Sequence, residues 1–409
     1  MAEPNRIQVL LAPNAFKGTL SAHEVCSALA AGVSRAVPEA RVVCLPLADG
    51  GDGFRATLVA AAGGWATRHR VSGPLGEPIR AAVGWLPGSP SPTAVIELAA
   101  ADGLARIGRP SPKTAADAST RGLGALIRAA LARGPAQILV GLGGSASTDG
   151  GAGMARALGY RFLRSDGSEI PEGGGGLGQL HHIVAEAVDW RLAAVPLLAA
   201  CDVTNPLLGP SGAAAVYAPQ KGADQATVAL LEAGLGRLAE VAARDLGSSG
   251  MEAEPGSGAA GGTGFGLLAF CRARLTPGAI LVANELGLDG QLAASDLVLT
   301  GEGRFDLASL TGKAPGEVAR RARRAGVPCV VIAGSSAPGA AAALGDLGAS
   351  LLETGGEIDA LAGADPRTLA GIRRRSRAAL ARAAFQACAQ TPLPRAPRRR
   401  SAGRDGRAQ

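Results

Sequence analysis

Apolar residues in this chain fall in short runs, each followed by a loop of small and polar residues. Residues 7–12 (IQVLLA) are the first such run, and their length suits a strand buried in a parallel sheet. Residues 13–18 form a loop, and Ser21-Ala22-His23-Glu24 is a capping box that predicts a helix to about residue 36, before Pro38. Residues 41–47 read as the next strand, which ends in Asp49-Gly50-Gly51-Asp52-Gly53, and a helix begins near Phe54. Strand, helix, strand in this order predicts a parallel sheet with right-handed crossovers.

The pattern changes between residues 71 and 98, where short alternating segments with Gly/Pro turns read as antiparallel strands or hairpins. A helix is predicted over 120–132, a strand over 137–142, a loop over 143–147 and a helix from Asp149. A strand over 196–200 ends at Asp202-Val203-Thr204-Asn205-Pro206, and a helix over 225–246 precedes a Gly-rich stretch from Gly256. From Asp296 the opening pattern returns: strand 296–300 is expected to end at Gly301-Glu302-Gly303-Arg304, and helix 313–325 and further strands and helices follow to about 389. The fold class is therefore α/β. A Rossmann-like parallel-sheet domain, split between residues 1–70 and 290–389, carries an inserted second α/β domain over 71–289.

Composition refines this picture. Hydrophobic residues make up 47% but aromatics only 3%, so the core is built from Ala, Leu and Val. The 60 Gly and 26 Pro are not periodic, which predicts many tight turns and backbone-lined sites. Five of the seven net positive charges come from residues 390–409, an Arg/Pro-rich tail expected to be disordered. The body shows no basic patch interleaved with aromatics, so nucleic acid is not an expected partner. The six cysteines lack C-x-x-C spacing and read as buried small hydrophobes in a reducing compartment. The first residues lack a basic-then-apolar leader and no long apolar stretch reads as a membrane span, so a cytoplasmic location is expected. Of the 41 basic residues only four are lysine: Lys17, Lys113, Lys221 and Lys313. Lysine is a compact point charge where arginine is a planar fork, and Lys17, Lys221 and Lys313 each touch a glycine in a loop-like stretch.

Five segments place polar residues directly after a predicted strand: Asn14 to Lys17, Asp49 to Asp52, Gly143 to Asp149, Asp202 to Asn205, and Gly301 to Asp306. Open parallel sheets bind ligands beyond the carboxyl ends of their strands. Gly143, Gly144, Ser145, Ser147 and Asp149 belong to a run whose amides and hydroxyls suit a phosphate at a helix N-terminus, or a tight turn capped by Asp149. Asp49, Gly50, Gly51 and Asp52 offer two carboxylates across bare backbone. They suit a hydrated Mg²⁺, a general base, or an N-cap and turn. Glu302 and Asp306 flank Arg304 and suit metal and phosphate, or a local ion pair. The Walker-type phosphate loop, the dinucleotide fingerprint, protein-kinase motifs and metal-spaced histidines are all absent.

Several stretches, in order, resemble the type I glycerate kinase family (the bacterial glycerate 2-kinase group). They are APNAFKGTLSAHEV from Ala12, PLADGGDGF from Pro46, GLGGSASTDGGAGMARALG from Gly141, DVTNPLLGPSGAAAVYAPQKGA from Asp202, GSGAAGGTGFGLLAF from Gly256, and LVLTGEGRFD from Leu297 through Gly312. The resemblance implies ATP-dependent phosphorylation of D-glycerate in organic-acid metabolism, with 2-phosphoglycerate as product and Mg²⁺ as cofactor. Other outcomes of the same residues are a kinase for another small hydroxy acid or a non-catalytic sugar-acid or nucleotide-binding regulator. In this frame Lys17, Asp49, Asp202 and Asp306 are candidate catalytic residues, and Asp49, Asp52 and Glu302 candidate Mg²⁺ ligands. Asn14, Gly50, Gly51, Gly143, Gly144, Ser145, Ser147, Asp149, Asn205, Lys221, Glu302, Arg304 and Lys313 are candidate contacts to substrate or phosphate. Lys17, Lys221 and Lys313 are expected to face one cleft. The chain departs from the usual family pattern at Asp102, at Ser147-Thr148, at Ala308-Ser309 and in its tail.

Overall fold

The computed structural model describes residues 6–51, 53–355 and 366–393. Asp52 and residues 394–409 of the expected tail lie outside the described residues. The chain divides into two compact units: Met1–Pro46, Gly287–Thr311 and Pro315–Gln409 form the first, Leu47–Leu286 with Gly312–Ala314 the second. Residues 47–70 thus belong to the second unit. The reason is local packing: helix Phe54–Ala61 buries Phe54 and Leu58, and the missing side chain of Gly84 leaves room for Val59 and Arg55.

The strands run in chain order as β1 (Gln8–Leu11), β2 (Arg41–Cys44), β3 (Trp65–Ser72), β4 (Pro78–Leu86) and β5 (Thr93–Glu97). Then come β6 (Gln137–Gly141), β7 (Arg161–Leu163), β8 (His182–Val184), β9 (Leu197–Ala200) and β10 (Arg274–Thr276). β11 (Leu297–Phe305), β12 (Cys329–Ser336) and β13 (Ala349–Glu353) follow.

The first unit holds a five-stranded, all-parallel sheet in the order β13-β12-β11-β1-β2. Helix Ala22–Ala36 starts at the expected capping box: Ser21 accepts from the Glu24 amide, and Glu24 accepts from the Ser21 amide at 2.9 Å. It buries Val25, Cys26, Leu29 and Val33 with Val9, Leu11, Leu297 and Leu299 of the sheet. Fully buried Leu and Val side chains of this kind stabilise by roughly 1.5–3 kcal/mol each. Helix Pro366–Gln390 lies close along the same helix, because a Cβ at Gly32 would stand 2.1 Å from the Ala381 carbonyl.

One expectation fails here. Residues 301–305 are strand, not loop: β11 runs past Thr300 and stays in register with β12 as far as Phe305 opposite Ser336. The longer partner strand offers continued hydrogen bonds, and Gly301 admits the Ile332 carbonyl within 2.0 Å of where a Cβ would sit. These ladder bonds outweigh the turn tendency of the Gly-Glu-Gly sequence.

The second unit contains a six-stranded sheet, β10-β9-β6-β5-β4-β3. Its β10, β9, β6 and β5 are parallel, while β5-β4-β3 are antiparallel, as the alternating segments predict. A two-stranded β7-β8 ribbon completes it. The Gly-rich stretch is unexpectedly helical: Ala259–Cys271 forms a helix with left-handed residues at Ala260, Gly261 and Gly262. Five cysteines are buried, but Cys44, at the exposed end of β2, is not. Among the described residues, no helix is long and apolar enough to cross a membrane.

Candidate active site

In the first unit, candidate residues gather where β1 and β11 end. The Asn14 amide donates to the Gly301 carbonyl at 2.8 Å, which places the segment after β1 against the distal part of β11. Asn14 is buried, and its Oδ1 accepts from the Ala15 amide at 2.8 Å. A short bridge between Phe16 and Leu20 closes a tight loop, with Gly18 at φ 77° and Lys17 exposed at its tip. Glu302 and Arg304 lie on the same side of β11, since strand side chains alternate, Glu302 buried and Arg304 exposed. Asp306 begins the short turn Leu307–Leu310, and its Oδ1 accepts from the Ser309 amide at 2.8 Å and the Ser309 hydroxyl at 3.0 Å. Asp306 is therefore at least partly a helix cap.

In the second unit, four chain segments converge beyond β6 and β9 with almost no side chains between them. A Cβ on Gly50 would stand 2.7 Å from the Ala200 Cβ, and one on Gly143 would stand 2.6 Å from the Gly51 Cα. A Cβ on Gly278 would reach within 2.1 Å of the Asp49 carbonyl. Asp49 Oδ1 accepts from the Ala314 amide at 3.0 Å, which fixes Lys313 beside it in sequence. Asp202 is exposed, and its Oδ1 accepts from the Gly278 amide at 2.7 Å. Asp49, Gly50, Gly51, Gly143, Gly144, Asp202 and Lys313 are thus brought into one neighbourhood. Asn205 instead ties its own loop together, donating to the Ser211 carbonyl at 2.7 Å and accepting from the Tyr217 hydroxyl at 2.7 Å.

Behind this surface lies a buried polar centre. Lys221 is 2% exposed and donates to Ser145 Oγ at 2.8 Å and to the Ser147 carbonyl at 2.5 Å. Lys221 therefore does not line an open cleft. Asp102, fully buried, accepts from the Ser147 amide at 3.1 Å and the Ser147 hydroxyl at 2.5 Å. Burial pushes the Asp102 carboxyl up to about 8 and the Lys221 ammonium down to about 8. Asp149, also fully buried, accepts from the Thr120 amide at 2.8 Å, the Thr120 hydroxyl at 2.9 Å, and the Gly151 and Gly153 amides at 3.0 and 3.1 Å. Burial pushes its carboxyl above the usual range, and these donors pull it back.

The anion at the start of helix Ala152–Ala157 is therefore the chain's own Asp149. Ser147 and Asp149 belong to the interior, while Gly143 is half-buried and Gly144 exposed. The kinked glycine helix closes this centre: a Cβ on Gly261 would be 2.1 Å from the Ser147 carbonyl and 2.9 Å from Lys221 Nζ. Asp102 stands out in the sequence only as a departure from the family pattern, not as a site residue. Its signal is a second carboxylate, five residues after Glu97, inside the otherwise apolar run IELAAADGLA.

Among the described residues, no group of three or more His, Cys, Asp and Glu comes together. The carboxylates fit a Mg²⁺ held chiefly by phosphate oxygens and water, which needs only one or two protein ligands. They do not form a closed protein cage.

Residues 9–364 match the Glycerate kinase family. The chain is 44% identical over 331 residues to the glycerate kinase of Bacillus subtilis (strain 168), covering 80% of this chain and 85% of that one. It is 42% identical over 331 residues to the glycerate 2-kinase of Escherichia coli (strain K12), again covering 80% and 85%. A crystal structure named for glycerate kinase 2 from Salmonella typhimurium LT2 superposes with a TM-score of 0.83 at 39% identity, covering 94% of this chain and 98% of that one. With motifs, fold and relatives in agreement, the chain belongs to the glycerate kinase family.

Proposed function

We propose that the protein transfers a phosphoryl group from ATP to D-glycerate in the cytoplasm, yielding 2-phosphoglycerate, with Mg²⁺. The observation that carries the reading is the convergence of Asp49, Asp202 and Lys313 with the bare backbone of Gly50, Gly51 and Gly143 at the carboxyl ends of β6 and β9. Phosphoryl transfer asks for positioning and charge neutralisation more than for covalent chemistry. Glycine backbone lets amides approach phosphate oxygens closely. Lys17 and Lys313 are proposed to neutralise carboxylate or phosphate charge, and Asp49 or Asp202 to accept the proton of the reacting hydroxyl. Asp306 is proposed to orient the loop after β11. Asp49 of the second unit is proposed as a Mg²⁺ ligand, and Glu302 of the first unit is a separate candidate. When bound, the metal lowers the charge on the transferring group.

The test is an ATP-coupled assay with D-glycerate whose product is separated into 2- and 3-phosphoglycerate. Formation of 2-phosphoglycerate is expected. Transfer to another hydroxy acid but not to D-glycerate would overturn the substrate assignment. In the same assay Lys17→Arg should lower kcat/KM by about 100-fold, the cost of a displaced transition-state charge contact. A wild-type value would remove Lys17 from the site.

A further inference from the structure

We infer that Lys221 and Asp102 are a buried positioning pair that sets the conformation of the Gly143–Ser147 loop. This rests on the reading above, in which that loop faces the phosphoryl-transfer site. Neither side chain touches solvent to any useful extent, with Lys221 2% and Asp102 0% exposed, so neither contacts substrate directly. Their side chains, with the backbone from Asp102 to Leu104, hold the loop in consecutive steps. Leu104, two residues after Asp102, donates its amide to the Gly144 carbonyl at 2.9 Å. The Ser145 hydroxyl accepts from Lys221 Nζ at 2.8 Å. The Ala146 amide donates to the Asp102 carbonyl at 2.9 Å. The Ser147 amide and hydroxyl both donate to the Asp102 carboxylate, and the Ser147 carbonyl accepts from Lys221. Ser145 is the hinge of this arrangement, 7% exposed and directly following Gly144, which is exposed and left-handed at φ 67°.

The surroundings are built for the ammonium. Lys221 sits on the short turn Pro219–Lys221, which ends at Gly222 with φ 97° against the backbone of Pro110 and Ser111. Opposite, Gly261 leaves space where a Cβ would stand 2.9 Å from Nζ. Burying two charges is expensive, and an apolar pair of similar volume would hold a core at lower cost. An apolar pair cannot orient the Ser145 and Ser147 hydroxyls and the Ser147 amide and carbonyl, whereas an ammonium and a carboxylate can.

The test uses the full chain in four variants: Lys221→Met, Ser145→Ala, their combination, and the charge-neutral Asp102→Asn/Lys221→Met. Thermal midpoints, amide hydrogen exchange of the 142–148 segment without substrate, and steady-state kinetics with ATP and D-glycerate are measured on each. Lys221→Met should speed exchange in that segment and lower kcat/KM, each by roughly tenfold or more. Adding Ser145→Ala should cost less than about threefold further, because the contact is already gone. The neutral double variant should regain most of the thermal midpoint lost in Lys221→Met while keeping fast exchange and low kcat/KM. The inference is overturned if that variant recovers exchange and kcat/KM together with stability, or if the Lys221→Met and Ser145→Ala losses multiply as independent effects. A wild-type protein inactive on D-glycerate would sink the proposed function alone, since the exchange readout needs no substrate.

Discussion

Asp149→Ala separates an interior anchor from a ligand contact. The wild-type carboxylate is fully buried and takes hydrogen bonds from three amides, those of Thr120, Gly151 and Gly153, and from the Thr120 hydroxyl. A buried amide left without an acceptor costs about 1–3 kcal/mol. Three such amides give a gross loss that is offset in part because the variant no longer buries a carboxylate, whose raised pKa reports an unfavourable site. The net loss expected is about 3–5 kcal/mol, typical of removing one member of a buried polar set. At about 2–4 °C per kcal/mol for a domain of this size, the thermal midpoint should fall by about 10 °C. Asp149→Asn keeps one acceptor oxygen and should lose about half as much. Thermal unfolding followed by circular dichroism reads both values. If Asp149→Ala unfolds within about 2 °C of wild type yet loses kcat/KM, the carboxylate acts on ligand and the anchoring argument is wrong.

Three further outcomes follow from the same geometry. Gly261→Ala places a Cβ 2.1 Å from the Ser147 carbonyl at φ 67° and should cost more than about 3 kcal/mol in urea unfolding. Gly18→Ala, at φ 77° with nothing within 4 Å, should cost only about 1 kcal/mol, and equal losses would contradict the packing argument. The Asp102 carboxyl is raised from 3.8 to about 8, so its contribution to stability is full below 3.8 and is lost as pH rises to 8. The Lys221 ammonium is lowered from 10.5 to about 8, so its contribution is full above 10.5 and is lost as pH falls to 8. The stability of wild type minus that of Asp102→Asn/Lys221→Met should therefore pass through a minimum near pH 8, and a difference that climbs steadily from pH 4 to 8 would reverse the sign argued. Finally, a hydrogen bond from Cys26 lowers the exposed Cys44 thiol to about 7, whereas burial raises Cys201, Cys271, Cys329 and Cys388. Iodoacetamide at neutral pH should label Cys44 first by mass spectrometry, and equal labelling of Cys201 would refute this.

Elements whose signals are local could be read directly from the chain. The capping box at Ser21, the apolar runs of β1, β6 and β9, and the alternation around β4 each lie within a few residues of sequence, and backbone sterics act at that range. The polar segments after those strands were legible for the same reason, and so was the family that their order resembles. Tertiary structure decided what depends on a partner far along the chain. β11 continues through Gly301 to Phe305 because β12 supplies hydrogen bonds there. The glycine stretch becomes the kinked helix Ala259–Cys271 because Gly261, Gly262 and Gly266 must lie against Ser147, Gly150 and Gly151. Lys221 and Asp149, which resemble phosphate contacts in sequence, turn inward because buried charges need donors and acceptors that only the folded chain assembles, with Asp102 among them. Residue type and spacing therefore determined which chemistry this protein carries, and long-range packing determined which of those residues meet solvent.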